Sequence, residues 1–176
     1  LEHDWSVFAT HWKSSRGASC NAEDLANAEQ RQDQAEGLVV NATEALGDGR
    51  TVVIAGDLNI QAPGRHLRVG SDPAEDCQPE GICDGFCGAG VKDGYDDSIA
   101  ALLGLGENAR LLSAELPHTY VRQFYPGRAI DHLLVAGPRA EAFGEATTPK
   151  VAGTSYRGSD RRPVIAKPDP GSEPRQ

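Results

Sequence analysis

Four short polar clusters hold the groups that could do chemistry: Thr10-His11-Trp12-Lys13-Ser14, Gly56-Asp57-Leu58-Asn59, Ile130-Asp131-His132 and Gly158-Ser159-Asp160-Arg161-Arg162-Pro163-Val164. Between them they offer imidazole, carboxylate, carboxamide, ammonium and guanidinium. Such groups can polarise a water, neutralise charge developing on phosphoryl oxygens and help an oxygen depart, which is what phosphoester hydrolysis requires. Asp57 and Asn59 stand two apart, and along an extended segment that spacing turns both side chains to one face while Leu58 packs elsewhere. Taken singly, each cluster has a plainer reading. An aspartate after a strand is commonly a turn former or helix cap, His11 an ordinary half-buried histidine, and Lys13 a solvated charge.

The clusters gain meaning from the elements that must position them. Trp5 to Thr10 reads as a strand that delivers His11 and Lys13 at its carboxyl end. From Asn21, a predicted N-cap, Leu25, Ala28, Ala35, Leu38, Val39, Ala42 and Leu46 mostly fall three, four or seven apart and give a helix one apolar face, with Gly47 as its stop. Thr51-Val-Val-Ile-Ala55 is short and β-branched, a buried strand closed by Gly56. Strand, helix and strand make a βαβ-like unit. In α/β sheets ligands gather where strands end, so polar clusters at those ends can converge on one site. Residues 61 to 97 show no sustained period and concentrate Gly, Pro and Asp, which predicts a long ordered loop. Beyond it, Ser98 to Leu105 reads as a short helix, and Thr119 to Val121, Ala129 to Ala136 and Val164 to Lys167 as strands.

With 176 residues, 39% hydrophobic and 24% charged, the chain suffices for one domain with a real core. We expect that domain over 1–167 and a disordered tail over 168–176, rich in Pro, Gly, Ser and charge. No stretch approaches the roughly 18 apolar residues of a membrane span. The chain begins at Leu1 without a Met, which suggests a processed product or a piece of something longer. A net charge of -9 argues against the basic face of metal-free nucleic-acid binders. It leaves nuclease activity open, because a bound divalent cation adds local positive charge. Cys20, Cys77, Cys83 and Cys87 form an even set that suits disulfide stapling of an extracellular or periplasmic protein. No CxxC pair supports zinc, and four reduced thiols are the alternative.

In order and spacing the clusters resemble the signature of the endonuclease/exonuclease/phosphatase superfamily, the group with the deoxyribonuclease-I-like fold. Val7-Phe8-Ala9-Thr10-His11-Trp12-Lys13-Ser14 is similar to its strand ending in a histidine. Val53-Ile54-Ala55-Gly56-Asp57-Leu58-Asn59 is similar to its Gly-Asp-x-Asn motif, Ala129-Ile130-Asp131-His132-Leu133-Leu134-Val135 to its Ile-Asp strand, and Ser159-Asp160-Arg161-Arg162-Pro163-Val164 to its closing Ser-Asp-His-x-Pro-Val. The resemblance implies an α/β fold, part of a four-layer α/β/β/α sandwich. It implies a divalent-metal-dependent phosphoesterase acting on a phosphoester substrate, nucleic acid among the options. Asp57 would orient or deprotonate the attacking water and Asn59 would hold phosphate or nucleophile. His11 would reach a phosphoryl oxygen, and Lys13 would add charge. Asp160, with Asp57, would hold Mg2+, or Mn2+ or Ca2+ in its place.

Two departures qualify this reading. The histidine that follows Asp in the family's closing motif is here Arg161, which stays protonated, offers only donors and cannot be a general base. It could clamp phosphate, or pair with Asp131, whose family role is to orient the missing imidazole. His132 points to the opposite strand face, and His66 and His118 could reach the site only through loops. In addition, nothing ahead of His11 has room for the family's N-terminal strands, with their Asn and metal-binding Glu. Without them one sheet lacks its usual partners, which predicts marginal stability or self-association. The rival reading is a catalytically impaired pseudoenzyme or phosphate-binding module. A third, a cation-binding loop of Asp72, Asp76, Asp84, Asp93, Asp96 and Asp97, lacks the alternating ligand spacing of a calcium loop. The sequon Asn41-Ala42-Thr43 falls inside the predicted helix, against a glycan there.

Overall fold

A computed structural model describes residues 5–14, 22–61, 98–121, 127–149 and 160–168. Strand β1 (Trp5–His11), helix α1 (Ala22–Gly47) and strand β2 (Thr51–Asp57) come first. Helix α2 (Ser98–Leu103), strands β3 (Arg110–Leu111) and β4 (Asp131–Ala136) and a 3-10 turn at Ala140–Ala142 follow. The sheet runs β1-β2-β4-β3. β1 and β2 are parallel and in register from Trp5↔Thr51 to His11↔Asp57, with α1 as the crossover, so the βαβ unit forms as expected. β4 is antiparallel to both β2 and β3.

The two faces of the sheet bury different cores. Ala28, Ala35 and Ala42 recur at seven-residue spacing on α1 and are buried. The small side chains of Ala35 and Ala42 let the helix lie close over Phe8, Val52, Ile54 and Leu134, with Ile99 and Leu102 of α2 beside them. On the opposite face Val53, Leu133 and Val135 meet Leu112, Leu116, Ala140, Phe143 and Ala146. That second core stops short of β1. Val7 is 68% exposed, and Trp5, 37% exposed, stands edge to face with the Phe143 ring, at 5.5 Å between centroids.

Several expected elements are shorter than the sequence suggested. Gly47 remains helical, and the left-handed position that closes α1 is Gly49, φ 78°. Thr119–Val121 and Val164–Lys167 are not strands but single bridges, Tyr120 to Arg128 and Arg161, and Ile165 to Thr147. Pro163 and Pro168 flank the last segment and lack the N–H that would extend a ladder. Pro168 itself bridges Phe143, so the expected tail is tied at its first residue. Residues 169–176, the predicted N-cap Asn21 and nearly all of the long loop (62–97) lie outside the described residues.

Candidate active site

Register brings three expected side chains into one row. His11 lies beside Asp57 across β1 and β2, and Asp57 beside Asp131 across β2 and β4. Paired positions on neighbouring strands share a face, so all three project at the same end of the sheet, on the face opposite α1. His11 Nε2 lies 3.8 Å from Asp57 Oδ2, with the histidine side chain 73% exposed and the carboxylate 12%. Gly56 makes the approach possible. It has φ 153°, and a Cβ there would lie 1.8 Å from the Thr10 carbonyl oxygen.

The turn after Asp57 is pinned from three sides. Asn59 adopts φ 55°, its backbone N–H donates to Asp57 Oδ1 at 2.9 Å, and its amide Nδ2 donates to the Trp12 carbonyl at 2.9 Å. The Leu58 N–H donates to the Ile130 carbonyl, and the Trp12 N–H to the Asp57 carbonyl. This corrects the extended-segment argument. Asp57 and Asn59 are joined by an Asx turn, in a left-handed conformation that asparagine tolerates, and the Asn59 amide braces the post-β1 segment. From α1, Gln34 accepts the Lys13 N–H, and the buried Arg31 donates to the Lys13 carbonyl at 3.0 Å. The exposed Lys13 side chain therefore springs from a fixed backbone.

Arg161 closes the row. Its Nη1 lies 3.1 Å from Asp131 Oδ2, its Nη2 is in direct contact with Asp57 Oδ2, and its guanidinium stacks 4.7 Å from the centre of the Tyr120 ring. The expected pairing with Asp131 is present, and the pairing with Asp57 adds to it. Thr119 was missed as a site residue. Fully buried, it donates from Oγ1 to Asp131 Oδ2 at 2.7 Å and accepts the N–H groups of Ile130 and Asp131. A polar β-branched residue within a predicted strand was the one available signal. Burial, the largest influence, pushes the Asp57 carboxyl above its ordinary range; Arg161 pulls it down, Asp131 pushes it up, and the Asn59 N–H and His11 lower it. Burial and the neighbouring carboxylate outweigh the guanidinium.

The remaining residues stand elsewhere. His132 is buried on the α1 face, as strand alternation requires. Its Nε2 donates to the Ile60 carbonyl and its Nδ1 faces Ser113 Oγ, both at 2.8 Å. His118 packs against Gly127, and burial and then Arg162 push its pKa down. Asp160 is exposed, and its carbonyl accepts the Val121 N–H. Among the described residues no three His, Cys, Asp or Glu side chains are grouped to hold a metal ion. The four cysteines, His66 and the acids from Asp72 to Asp97 lie outside the described residues.

A mixed sheet backed by a crossover helix, with its polar row at the strand ends, has the deoxyribonuclease-I-like fold that the motifs implied. The chain is similar to an AP endonuclease from Archaeoglobus fulgidus, with TM-score 0.63 and 15% identity over 94% of this chain and 62% of that one. It is similar also to the 3'-5' exonuclease NExo from Neisseria meningitidis, with TM-score 0.64 and 20% identity over 93% and 60%. NExo from Neisseria, described as a 3' phosphatase bound to a product DNA hairpin, gives TM-score 0.62. The chain thus spans about 60% of the length of these proteins. No protein-family profile matches the sequence, and no curated protein does.

Proposed function

We propose that the protein is a phosphoester hydrolase, a nuclease or other phosphodiesterase or phosphatase, of which this chain supplies the His11–Asp57–Asp131 row and the closing Arg161. The observation that supports it is the convergence of that row from three strands, on a fold shared with a 3'-5' exonuclease and an AP endonuclease. Asp57 Oδ2 takes the proton of the attacking water, and the raised pKa makes it a better acceptor than an exposed aspartate. His11 and Lys13 supply donors to the phosphoryl oxygens, and Arg161 clamps the phosphate. Asn59 acts by fixing Asp57. Nucleic acid is the substrate we favour, by analogy with the DNA hairpin product of NExo.

The motif resemblance would place a divalent cation, Mg2+ or else Mn2+ or Ca2+, on Asp160 and Asp57 of this chain. The described residues do not fit one as they stand, because Asp57 and Asp131 are both engaged by Arg161 and no third ligand is grouped with them. The bare flank of β1 fits docking of a further segment, or self-association, on that face. An extracellular or periplasmic location with paired cysteines completes the reading. Among the described residues no helix is long and apolar enough to cross a membrane.

The second reading, a catalytically impaired pseudoenzyme or phosphate-binding module, is favoured by the pairing of Arg161 with Asp57, which occupies the proposed base. The two separate in one assay on a DNA hairpin and an aryl phosphodiester, with Mg2+ and with chelator. Turnover that falls at least about a hundredfold in Asp57→Ala supports the hydrolase, since acid–base groups contribute on that order. Phosphate binding without turnover, in the native chain and in Arg161→His alike, supports the module.

A further inference from the structure

We infer that Arg161 is a built-in cation of this site, and that its guanidinium and a divalent metal ion are mutually exclusive occupants of the space between Asp57 and Asp131. The inference rests on the proposed site but needs no turnover from it. Asp57 and Asp131 are register partners with side chains 12% and 20% exposed. Two like charges so placed repel unless a cation stands between them. The Oδ2 atoms of both face the same guanidinium, one through Nη2 and the other through Nη1. A metal ion bridging the pair through those oxygens would have to displace the guanidinium.

Arg161 is also held where it stands. Tyr120 bridges it through the backbone and lies under its guanidinium. On either side the Val121 N–H donates to the Asp160 carbonyl, and the Arg162 N–H to the Thr119 carbonyl at 2.7 Å. Thr119 Oγ1 meanwhile fixes the Asp131 oxygen that Arg161 uses. The 119–121 segment thus sets both members of the ion pair. Whatever fraction of the time the guanidinium occupies the space between Asp57 and Asp131, the apparent metal affinity falls in proportion.

The test is Mn2+ binding, by titration calorimetry and by loss of the free-ion paramagnetic signal, to the native chain, Arg161→Gln, and Arg161→Gln with Asp57→Asn. Arg161→Gln is expected to bind one Mn2+ at least about tenfold more tightly than the native chain, and the double variant to lose that gain. Equal affinity in the native chain and Arg161→Gln overturns the inference, as does a gain that survives Asp57→Asn. Should Arg161→Gln not fold, Arg161→Lys decides, because a lysine keeps the charge but cannot fork to both carboxylates. An intermediate gain then supports the inference, and none overturns it. A failure of the hydrolase reading would appear as lost turnover and leave these affinities unchanged.

Discussion

The two faces of one sheet are treated differently. The face under α1 is closed along β1, β2 and β4, from Phe8 through Ile54 to Leu134. The other is closed only over β2 and β4, lies bare along β1, and ends in a row of charged side chains. A strand can therefore be structural on one side and available on the other, because successive residues point to opposite faces. His132 and Asp131 show this within one peptide: the histidine is locked behind the sheet and the aspartate stands in the row.

The largest expected effect tests that contrast directly. Leu134→Ala should destabilise the fold by about 3 kcal/mol, the usual cost of emptying a packed leucine site, while Val7→Ala should stay within about 0.5 kcal/mol. Urea unfolding of both variants gives the comparison, and similar losses would mean that the β1 flank is packed after all. Next is the charged end. Thr119→Val leaves the Ile130 and Asp131 N–H groups without their acceptor and should cost about 1–3 kcal/mol, with Thr119→Ser recovering most of it. A loss no larger than that of Val7→Ala would make this end as loose as the bare strip.

The smallest effect concerns pH. Because the Asp57 carboxyl is raised in the folded state, its protonated form is the one folding favours. Its contribution is fully present below the ordinary aspartate range and is lost as pH rises through the folded value. Asp57→Asn should therefore be slightly more stable than the native chain at pH 7, with the difference closing as the medium is acidified. Thermal unfolding across pH checks it, and an Asn variant less stable at pH 7 would mean that the Arg161 contact outweighs burial.

What could be read from the sequence follows from how local each signal is. β1, α1 and β2 announced themselves by period and β-branching, and Ala35 and Ala42 pack against the sheet as their spacing required. β3 is two residues long and exists only because β4 lies beside it, so no pattern could mark it. The extended reading of Asp57 and Asn59 failed because the asparagine side chain bonds across to Trp12, a partner 47 positions away. Arg161 stood out against the family motif, and Asp131 was its foreseeable partner. Its contact with Asp57 depends on how the closing segment crosses the strand ends, which neither period nor spacing carries.

The place of Arg161 after Asp57 and Asp131 in the sequence also sets an order of events during synthesis. Residues emerge from the ribosome in sequence, and domains begin to fold as they do so. Asp57 and Asp131 both emerge before Arg161. Any nascent chain in which β2 has already found β4 therefore presents two facing carboxylates with no arginine between them, and only the arrival of the closing segment completes the charge balance.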